Sequence, residues 1–133
     1  RACIGSDFVD TNRLNLVGSS MGGATVATAA VTHSNYIRGI VLEYPAINLN
    51  PDAMVSGAPL DVNGYTGPVL IFQGTKDVIV PMEMSENLAD HYNTLRDGHA
   101  ELIIYEGQPH VFTGKYKVLA AKEIYRFLEE TAS

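Results

Sequence analysis

The 133-residue sequence has a single cysteine, no cluster of basic residues and no long apolar run. With Cys3 alone, the chain can form neither an internal disulfide nor a thiolate metal cluster. No apolar stretch approaches the roughly 20 residues that a membrane-spanning helix requires. The formal net charge is -6. Without a cluster of Lys and Arg, we expect neither nucleic acid nor an anionic membrane surface as a partner.

Sequence patterns for metal and phosphate binding are also missing. No arrangement of His, Cys, Asp or Glu has the spacing of metal ligands, and no glycine-rich phosphate loop is followed by Lys. We therefore expect no metal ion and no cofactor. Hydrophobic residues make up 46% and charged residues 18% of the chain, which is typical of a globular protein. A length of 133 residues fits one domain, residues 1–133.

The sequence starts at Arg1, without an initiator Met, and nothing at its start resembles a signal sequence. Residues 1–5 read as the end of a helix closed by a glycine, and residues 7–13 as a polar connector. We therefore expect that processing or truncation has removed the true N-terminus. A cytoplasmic location is the default expectation.

The central motif is GSSMG at residues 18–22, within LNLVGSSMGGAT at residues 14–25. Strand-forming residues precede it, and a helical segment rich in Ala and Thr follows. This is the G-x-S-x-G pattern that displays a serine on a sharp strand-to-helix turn, and only Ser20 is in the required frame. We expect a strained backbone at Ser20, and we expect that a Cβ at Gly18 or Gly22 would clash. The N–H of Met21, at the start of the helix, favours a developing negative charge.

Three further strands are predicted after the motif. Residues 37–44 (IRGIVLEY), 68–73 (PVLIFQ) and 102–105 (LIIY) are rich in β-branched or apolar residues. The first two are continuously apolar rather than alternating, which indicates parallel strands that are buried on both faces. Residues 46–67, rich in Pro, Gly, Asn and Asp, have no sustained period and are expected to form a loop.

Two helices complete the pattern. Pro81 opens the first, and Asp97-Gly98 closes it. Its apolar positions are Met84, Leu88, Tyr92 and Leu95. The second spans residues 115–130, and its predicted apolar face consists of Val118, Ala121, Tyr125 and Leu128. Alternating strands and helices predict an α/β fold: a parallel sheet of about four strands with helices on both faces.

Three chemically distinct side chains follow three of the four predicted strands. Ser20 follows the first strand, Asp77 follows the third in GTKD, and His110 follows the fourth in EGQPH. Carboxyl ends of parallel strands share one edge of the sheet, so these residues are expected to converge. A serine hydroxyl needs a base, an imidazole can take its proton near neutral pH, and a carboxylate can fix the imidazole tautomer.

Other acids and histidines compete less well for these positions. Glu43, near the end of the second strand, is the strongest alternative acid. Further candidates are Asp52 and Asp61 in the loop that follows. The remaining histidines are not at carboxyl ends of strands: they are His33, His91 and His99.

Three segments together resemble the α/β-hydrolase superfamily: LNLVGSSMGG, PVLIFQGTKDVIVP and LIIYEGQPHVF. Within it, the sequence is similar to cinnamoyl/feruloyl esterases, serine aminopeptidase-like hydrolases and prolyl-oligopeptidase catalytic domains. The resemblance implies that Ser20 is the nucleophile, Asp77 the acid and His110 the base. It also implies that the Met21 amide is one oxyanion donor.

The resemblance covers the whole chain, but the chain corresponds to the C-terminal half of the family fold, from the fifth strand to the closing helix. The loop that supplies the second oxyanion donor in the family is therefore expected outside this sequence. The nucleophile strand would also lose a neighbour, so we expect an open edge between Asn12 and Val17. That edge would pair with a second copy or with the missing half.

The expected function is hydrolysis of small-molecule carboxylic esters by a serine nucleophile and an acyl-enzyme intermediate. Val78, Ile79 and Phe112 lie beside the acid and the base in sequence, and are expected either to line the substrate pocket or to pack into the core. Peptidase and acyltransferase chemistry use the same three side chains and remain alternatives. A catalytically inert fragment that serves as an interaction module is the alternative from a different class.

Overall fold

The computed structural model describes residues 14–48, 58–59 and 62–131 of the chain. The predicted helix end at residues 1–5, the connector at 7–13 and the alternative acids Asp52 and Asp61 lie outside these residues. The described elements are β1 (Leu14–Ser19), α1 (Met21–Thr32), β2 (Ile37–Glu43), β3 (Ile47–Asn48), β4 (Ala58–Pro59), β5 (Val69–Gly74), α2 (Met82–Leu95), β6 (Ala100–Tyr105) and α3 (Lys115–Thr131).

Four of the strands form one parallel sheet in the order β1-β2-β5-β6, which confirms the predicted α/β architecture. Every residue of β5 is buried, because the strand lies inside the sheet with helices on both faces. The pairing of Ser19 with Glu43, and of Glu43 with Phe72, aligns the carboxyl ends of the first three strands. The loops that leave these strands therefore start at one edge of the sheet.

Helices cover both faces of this sheet: α1 and α2 lie on one face and α3 lies on the other. The small residues Ala24, Ala27 and Ala30 of α1 are buried in one core cluster, which also contains Leu88 and Tyr92 of α2. The predicted apolar face of α2 is confirmed, since Met84 is also buried and Leu95 packs against the same cluster. None of the helices within the described residues combines the length and the apolar character that crossing a membrane requires.

The predicted apolar face of α3 is wrong. Tyr125 is 73% exposed and Val118 is 57% exposed, whereas Ala120 and Phe127 are buried against the sheet. Gly39 of β2 explains the difference, because a Cβ at Gly39 would lie 3.0 Å from the Phe127 ring. The absence of a side chain at Gly39 thus makes room for the ring and sets the rotation of the helix.

Three short elements were not predicted. A single 3-10 turn, Ser34–Tyr36, connects α1 to β2. Within the region predicted as loop, the two-residue strands β3 and β4 pair in parallel. Elements of two or three residues are too short to leave a periodic signal in a sequence.

Candidate active site

Ser20 lies on the turn between β1 and α1 in a strained backbone conformation, with φ 54° and ψ -120°. A positive φ is uncommon for a residue with a side chain. Hydrogen bonds hold the turn on both sides: the Ser20 N–H donates to the Glu43 carbonyl at 2.9 Å, and the Ser20 carbonyl accepts from Gly23 N–H at 3.0 Å. The predicted strain at Ser20 is confirmed, and the turn fixes where the hydroxyl points.

One of the two predictions for the glycines around Ser20 is confirmed and the other is wrong. A Cβ at Gly18 would lie 2.7 Å from both the Gly22 carbonyl carbon and a Val26 methyl, so the expected clash at Gly18 is confirmed. Among the residues that the structure describes, a Cβ at Gly22 would meet nothing within 4 Å, and the expected clash there is wrong. The second constrained glycine is instead Gly23, where a Cβ would lie 2.9 Å from the Pro45 side chain.

The side chains of Ser20, His110 and Asp77 form one continuous hydrogen-bonded cluster. His110 Nε2 lies 2.9 Å from Ser20 Oγ, and His110 Nδ1 lies 2.7 Å from Asp77 Oδ2. Because a carboxylate only accepts hydrogen bonds, Nδ1 carries the imidazole proton toward Asp77. Nε2 is then the nitrogen that can accept a hydrogen bond from the Ser20 hydroxyl. The convergence that the sequence predicts is therefore confirmed.

Asp77 is held by its own loop. Its side chain is fully buried, and Oδ1 accepts hydrogen bonds from the backbone N–H groups of Ile79 at 2.8 Å and Val80 at 2.7 Å. The carboxylate is thereby fixed at both oxygens, one to the loop and one to His110. An acid restrained in this way sets the orientation of the imidazole.

A second buried polar side chain, Gln73, supports the acid loop and was not identified from the sequence. Its Nε2 donates to the Val80 carbonyl at 3.0 Å and lies 3.4 Å from Asp77 Oδ2, while its Oε1 accepts from Ser85 Oγ at 2.6 Å. Gln73 is fully buried at the carboxyl end of an otherwise apolar strand. A polar residue in that position is the signal that could have identified it.

The competing acid and histidines lie elsewhere. The Glu43 carboxylate accepts a hydrogen bond from Ser19 Oγ at 3.0 Å, rather than approaching His110. His99 is buried between the carbonyl groups of Gly67 and Tyr92. His91 contacts Asn63, and His33 caps the end of α1.

The other predicted site residues differ in exposure. Met21 is the first residue of α1, so its N–H is among the helix donors that have no intrahelical partner. Val78 is 91% exposed and Ile79 is 53% exposed beside the acid, so neither belongs to the core. Phe112 is buried among aromatic rings, so of the two expected roles, pocket lining and core packing, it has the second. That Val78 and Ile79 line a substrate pocket stays a prediction.

Within the described residues, no group of three or more His, Cys, Asp or Glu side chains could hold a metal ion. The cluster instead combines a hydroxyl, an imidazole and a buried carboxylate at the edge of a parallel sheet. Such a set can move a proton from the hydroxyl to the imidazole while the carboxylate fixes the imidazole tautomer.

Known structures share this fold. Est1E from Butyrivibrio proteoclasticus is 21% identical, with a TM-score of 0.76 over 98% of this chain and 65% of its own. MGS-M1, an α/β hydrolase from a Medee basin deep-sea metagenome library, is 15% identical, with a TM-score of 0.74 over 92% of this chain and 56% of its own. The monoacylglycerol lipase of Paleococcus ferrophilus is 18% identical, with a TM-score of 0.72 over 91% of this chain and 70% of its own.

The chain thus spans just over half the length of MGS-M1 and about two thirds of Est1E. The comparison with curated proteins finds no significant match. The family model described as "Dienelactone hydrolase family" matches residues 4–126, which is most of the chain. The chain therefore belongs to the dienelactone hydrolase family, and its fold is that of α/β hydrolases.

Proposed function

We propose that the protein is a serine hydrolase that cleaves carboxylic esters through an acyl-enzyme intermediate. One observation carries the proposal: His110 bridges Ser20 Oγ at 2.9 Å and the buried Asp77 carboxylate at 2.7 Å. These distances lie within the range for a nucleophile and its general base. Membership of a hydrolase family and the fold shared with a monoacylglycerol lipase agree with this chemistry.

In the proposed reaction, Ser20 Oγ attacks the ester carbonyl carbon while His110 Nε2 takes the hydroxyl proton. The Met21 N–H, at the positive end of α1, donates to the oxyanion that forms. His110 then gives its proton to the leaving alcohol, and the acyl group stays on Ser20. A water molecule, deprotonated by His110, attacks the carbonyl carbon of the acyl-enzyme, and His110 returns that proton to Ser20 Oγ as the acid is released. Asp77 stabilises the imidazolium in both steps.

We also propose a substrate position beside the acid loop. Val78 and Ile79 directly follow Asp77 and are exposed, so they can contact the acyl or alcohol group of a bound ester. Loss of that contact alone would raise KM and leave the chemical step unchanged. Val78→Ser is the test, because it removes apolar surface from the most exposed position in the loop.

A hydrolase assay with p-nitrophenyl acetate tests the proposed function. Ser20→Ala should abolish turnover above the uncatalysed rate. Ser19→Ala is the matched control, because Ser19 Oγ contacts Glu43 rather than His110, and its turnover should stay within about threefold. Equal turnover by the unsubstituted chain and Ser20→Ala would contradict the proposal. Faster release of p-nitroaniline from a peptide substrate than of p-nitrophenol from esters would favour the peptidase alternative.

The partner that we propose is another β-strand beside β1. Among the strands that the structure describes, β1 pairs with β2 alone, and Val17 is 49% exposed. An open edge presents unpaired N–H and C=O groups that can add a strand. The occupant would be a second copy of the chain or further elements of the hydrolase fold.

A further inference from the structure

Tyr44 lies at the end of β2 and has a strained backbone. Within the part of the chain that the structure describes, Ser20 and Tyr44 are the two non-glycine residues with positive φ, 54° and 37°. For a bulky aromatic residue this conformation is an outlier, and such outliers persist only where the surrounding structure enforces them. The hydrogen bonds among Ser20, His110 and Asp77 do not require a strained backbone at Tyr44.

The residues on either side of Tyr44 are hydrogen-bonded to the backbone of Ser20. Before it, the Glu43 carbonyl accepts from the Ser20 N–H at 2.9 Å. After it, the Ala46 N–H donates to the Ser20 carbonyl at 3.0 Å. Tyr44 itself is anchored to the neighbouring strand, because its N–H donates to the Phe72 carbonyl at 2.7 Å. The position of Tyr44 is therefore tied to that of Ser20 through two hydrogen bonds.

The ring of Tyr44 packs against His110. The two ring centroids lie 4.9 Å apart with an interplanar angle of 57°, and on another side the Tyr44 ring meets Phe112 at 5.1 Å. Tyr44 is buried, with 8% of its surface exposed. Ring pairs at these separations attract each other and restrict each other's rotation. The Tyr44 ring thus limits how far the imidazole can tilt.

The hydroxyl of Tyr44 contributes differently. It contacts the Ser19 side chain, and burial, with a further contribution from the Glu43 carboxylate, raises the pKa of the Tyr44 phenol above its ordinary value. The phenol therefore keeps its proton at neutral pH and is not available as a general base. Since the hydroxyl contacts Ser19 and the ring contacts His110, the ring is the part of Tyr44 that can position the base.

We propose that Tyr44 is a positioning residue for the base. Its ring keeps the His110 imidazole within reach of the Ser20 hydroxyl. The left-handed turn that carries this ring is itself hydrogen-bonded to the backbone of Ser20. This inference rests on the proposed serine hydrolase function. It predicts that the aromatic ring at position 44 affects the chemical step more than substrate binding. A misplacement of a reacting group by about 1 Å can reduce the rate about 100-fold.

Four variants test this role: three at Tyr44 and one control at Tyr105. Tyr44→Leu removes the ring and retains apolar volume, whereas Tyr44→Phe removes only the hydroxyl. Tyr105→Leu is the matched control, because Tyr105 packs against Phe112 at 5.1 Å in the same aromatic cluster. Tyr44→Asn is a second variant without an aromatic ring, chosen because Asn tolerates positive φ. Circular dichroism establishes which variants fold.

For p-nitrophenyl acetate, we expect kcat to fall about 10- to 100-fold in Tyr44→Leu and in Tyr44→Asn, with KM changed less than about threefold. Labelling of Ser20 by a fluorophosphonate should slow in parallel, whereas Tyr44→Phe and Tyr105→Leu should stay within about threefold. A folded variant without the ring that keeps its kcat, or an equal loss in Tyr105→Leu, would overturn the proposal. So would unfolding of both ring-free variants while Tyr105→Leu folds. If instead Ser20→Ala keeps the activity of the unsubstituted chain, the proposed function itself fails.

Discussion

The backbone N–H of Lys76 donates a 3.0 Å hydrogen bond to the carbonyl of Gln108. This bond ties the loop that carries Asp77 to the loop that carries His110, so the acid and the base are coupled through the backbone as well as through their side chains. The contact requires Gly74, because a Cβ there would lie 2.8 Å from the Gln108 carbonyl carbon. Two loops from neighbouring strands thus approach closely enough for the carboxylate and the imidazole to meet.

Gly74→Ala should displace the loop that carries His110. The added Cβ would overlap backbone, which cannot yield as a side chain can, so we expect kcat for p-nitrophenyl acetate to fall about 100-fold. Gly22→Ala is the control, since a Cβ at that position meets nothing within 4 Å. Its activity and stability should be close to those of the unsubstituted chain. Equal activity in both variants would show that the loop contact is not needed.

Asp77→Asn should leave the fold intact and lower ester turnover by about 10³- to 10⁴-fold, because the amide no longer holds the imidazole in the tautomer that accepts the serine proton. Glu43→Gln should have a far smaller effect, since Glu43 contacts Ser19 rather than His110. Steady-state kinetics on the two variants shows whether Asp77 or Glu43 is the acid. The opposite ranking would move the acid to the end of β2.

Two buried tyrosines should respond in opposite ways to the loss of their hydroxyl groups. Tyr65 Oη donates to the Pro68 carbonyl at 3.0 Å, so Tyr65→Phe should lower the free energy of unfolding by about 1 kcal/mol. Within the described residues, Tyr92 Oη is buried without a hydrogen-bond partner. Tyr92→Phe should therefore leave that free energy unchanged or raise it. Urea unfolding measures both values, and a larger loss in Tyr92→Phe would contradict this interpretation.

The same tyrosines predict how stability depends on pH. Burial raises the pKa of both phenols above the ordinary value of about 10. Each phenol therefore keeps its proton longer in the folded chain than in the unfolded chain. Their contribution to stability is fully present below about pH 10 and is lost as the pH rises further. The free energy of unfolding should fall more steeply between pH 10 and 11 in the unsubstituted chain than in the double variant Tyr65→Phe/Tyr92→Phe.

The proposed strand partner predicts self-association of the isolated chain. Val17→Lys places a charge on the open strand β1 and should shift the chain toward monomer, because charged side chains on edge strands oppose pairing. Tyr36→Lys is the control, since Tyr36 is similarly exposed but lies in the 3-10 turn outside the sheet. Sedimentation velocity separates the species. A monodisperse monomer of the unsubstituted chain would contradict pairing between copies.

Features set by local chemistry could be predicted from the sequence. The continuously apolar strand β5, the small residues of α1 and the GSSMG turn identified a buried parallel sheet with Ser20 at its edge. Because carboxyl ends of parallel strands share that edge, Asp77 and His110 followed from their places in the chain order.

Features that depend on contacts between distant segments could not be predicted. Apolar residues occupy more than one side of α3. Which side packs on the sheet depends on the room that Gly39 leaves for a side chain, and Gly39 belongs to another element, β2. The left-handed backbone of Tyr44 likewise reflects its neighbours rather than its residue type. The buried Gln73 likewise depends on the acid loop, whose Val80 carbonyl accepts its hydrogen bond.

The most direct test of the central claim is covalent labelling of the folded chain with a fluorophosphonate, followed by peptide mass mapping. The labelling reaction requires a serine activated by its base. We predict one modified peptide, with the label on Ser20, together with loss of labelling in Ser20→Ala and strongly reduced labelling in His110→Gln. A folded chain that remains unlabelled, or that is labelled equally in His110→Gln, would contradict the assignment of Ser20 and His110 as nucleophile and base.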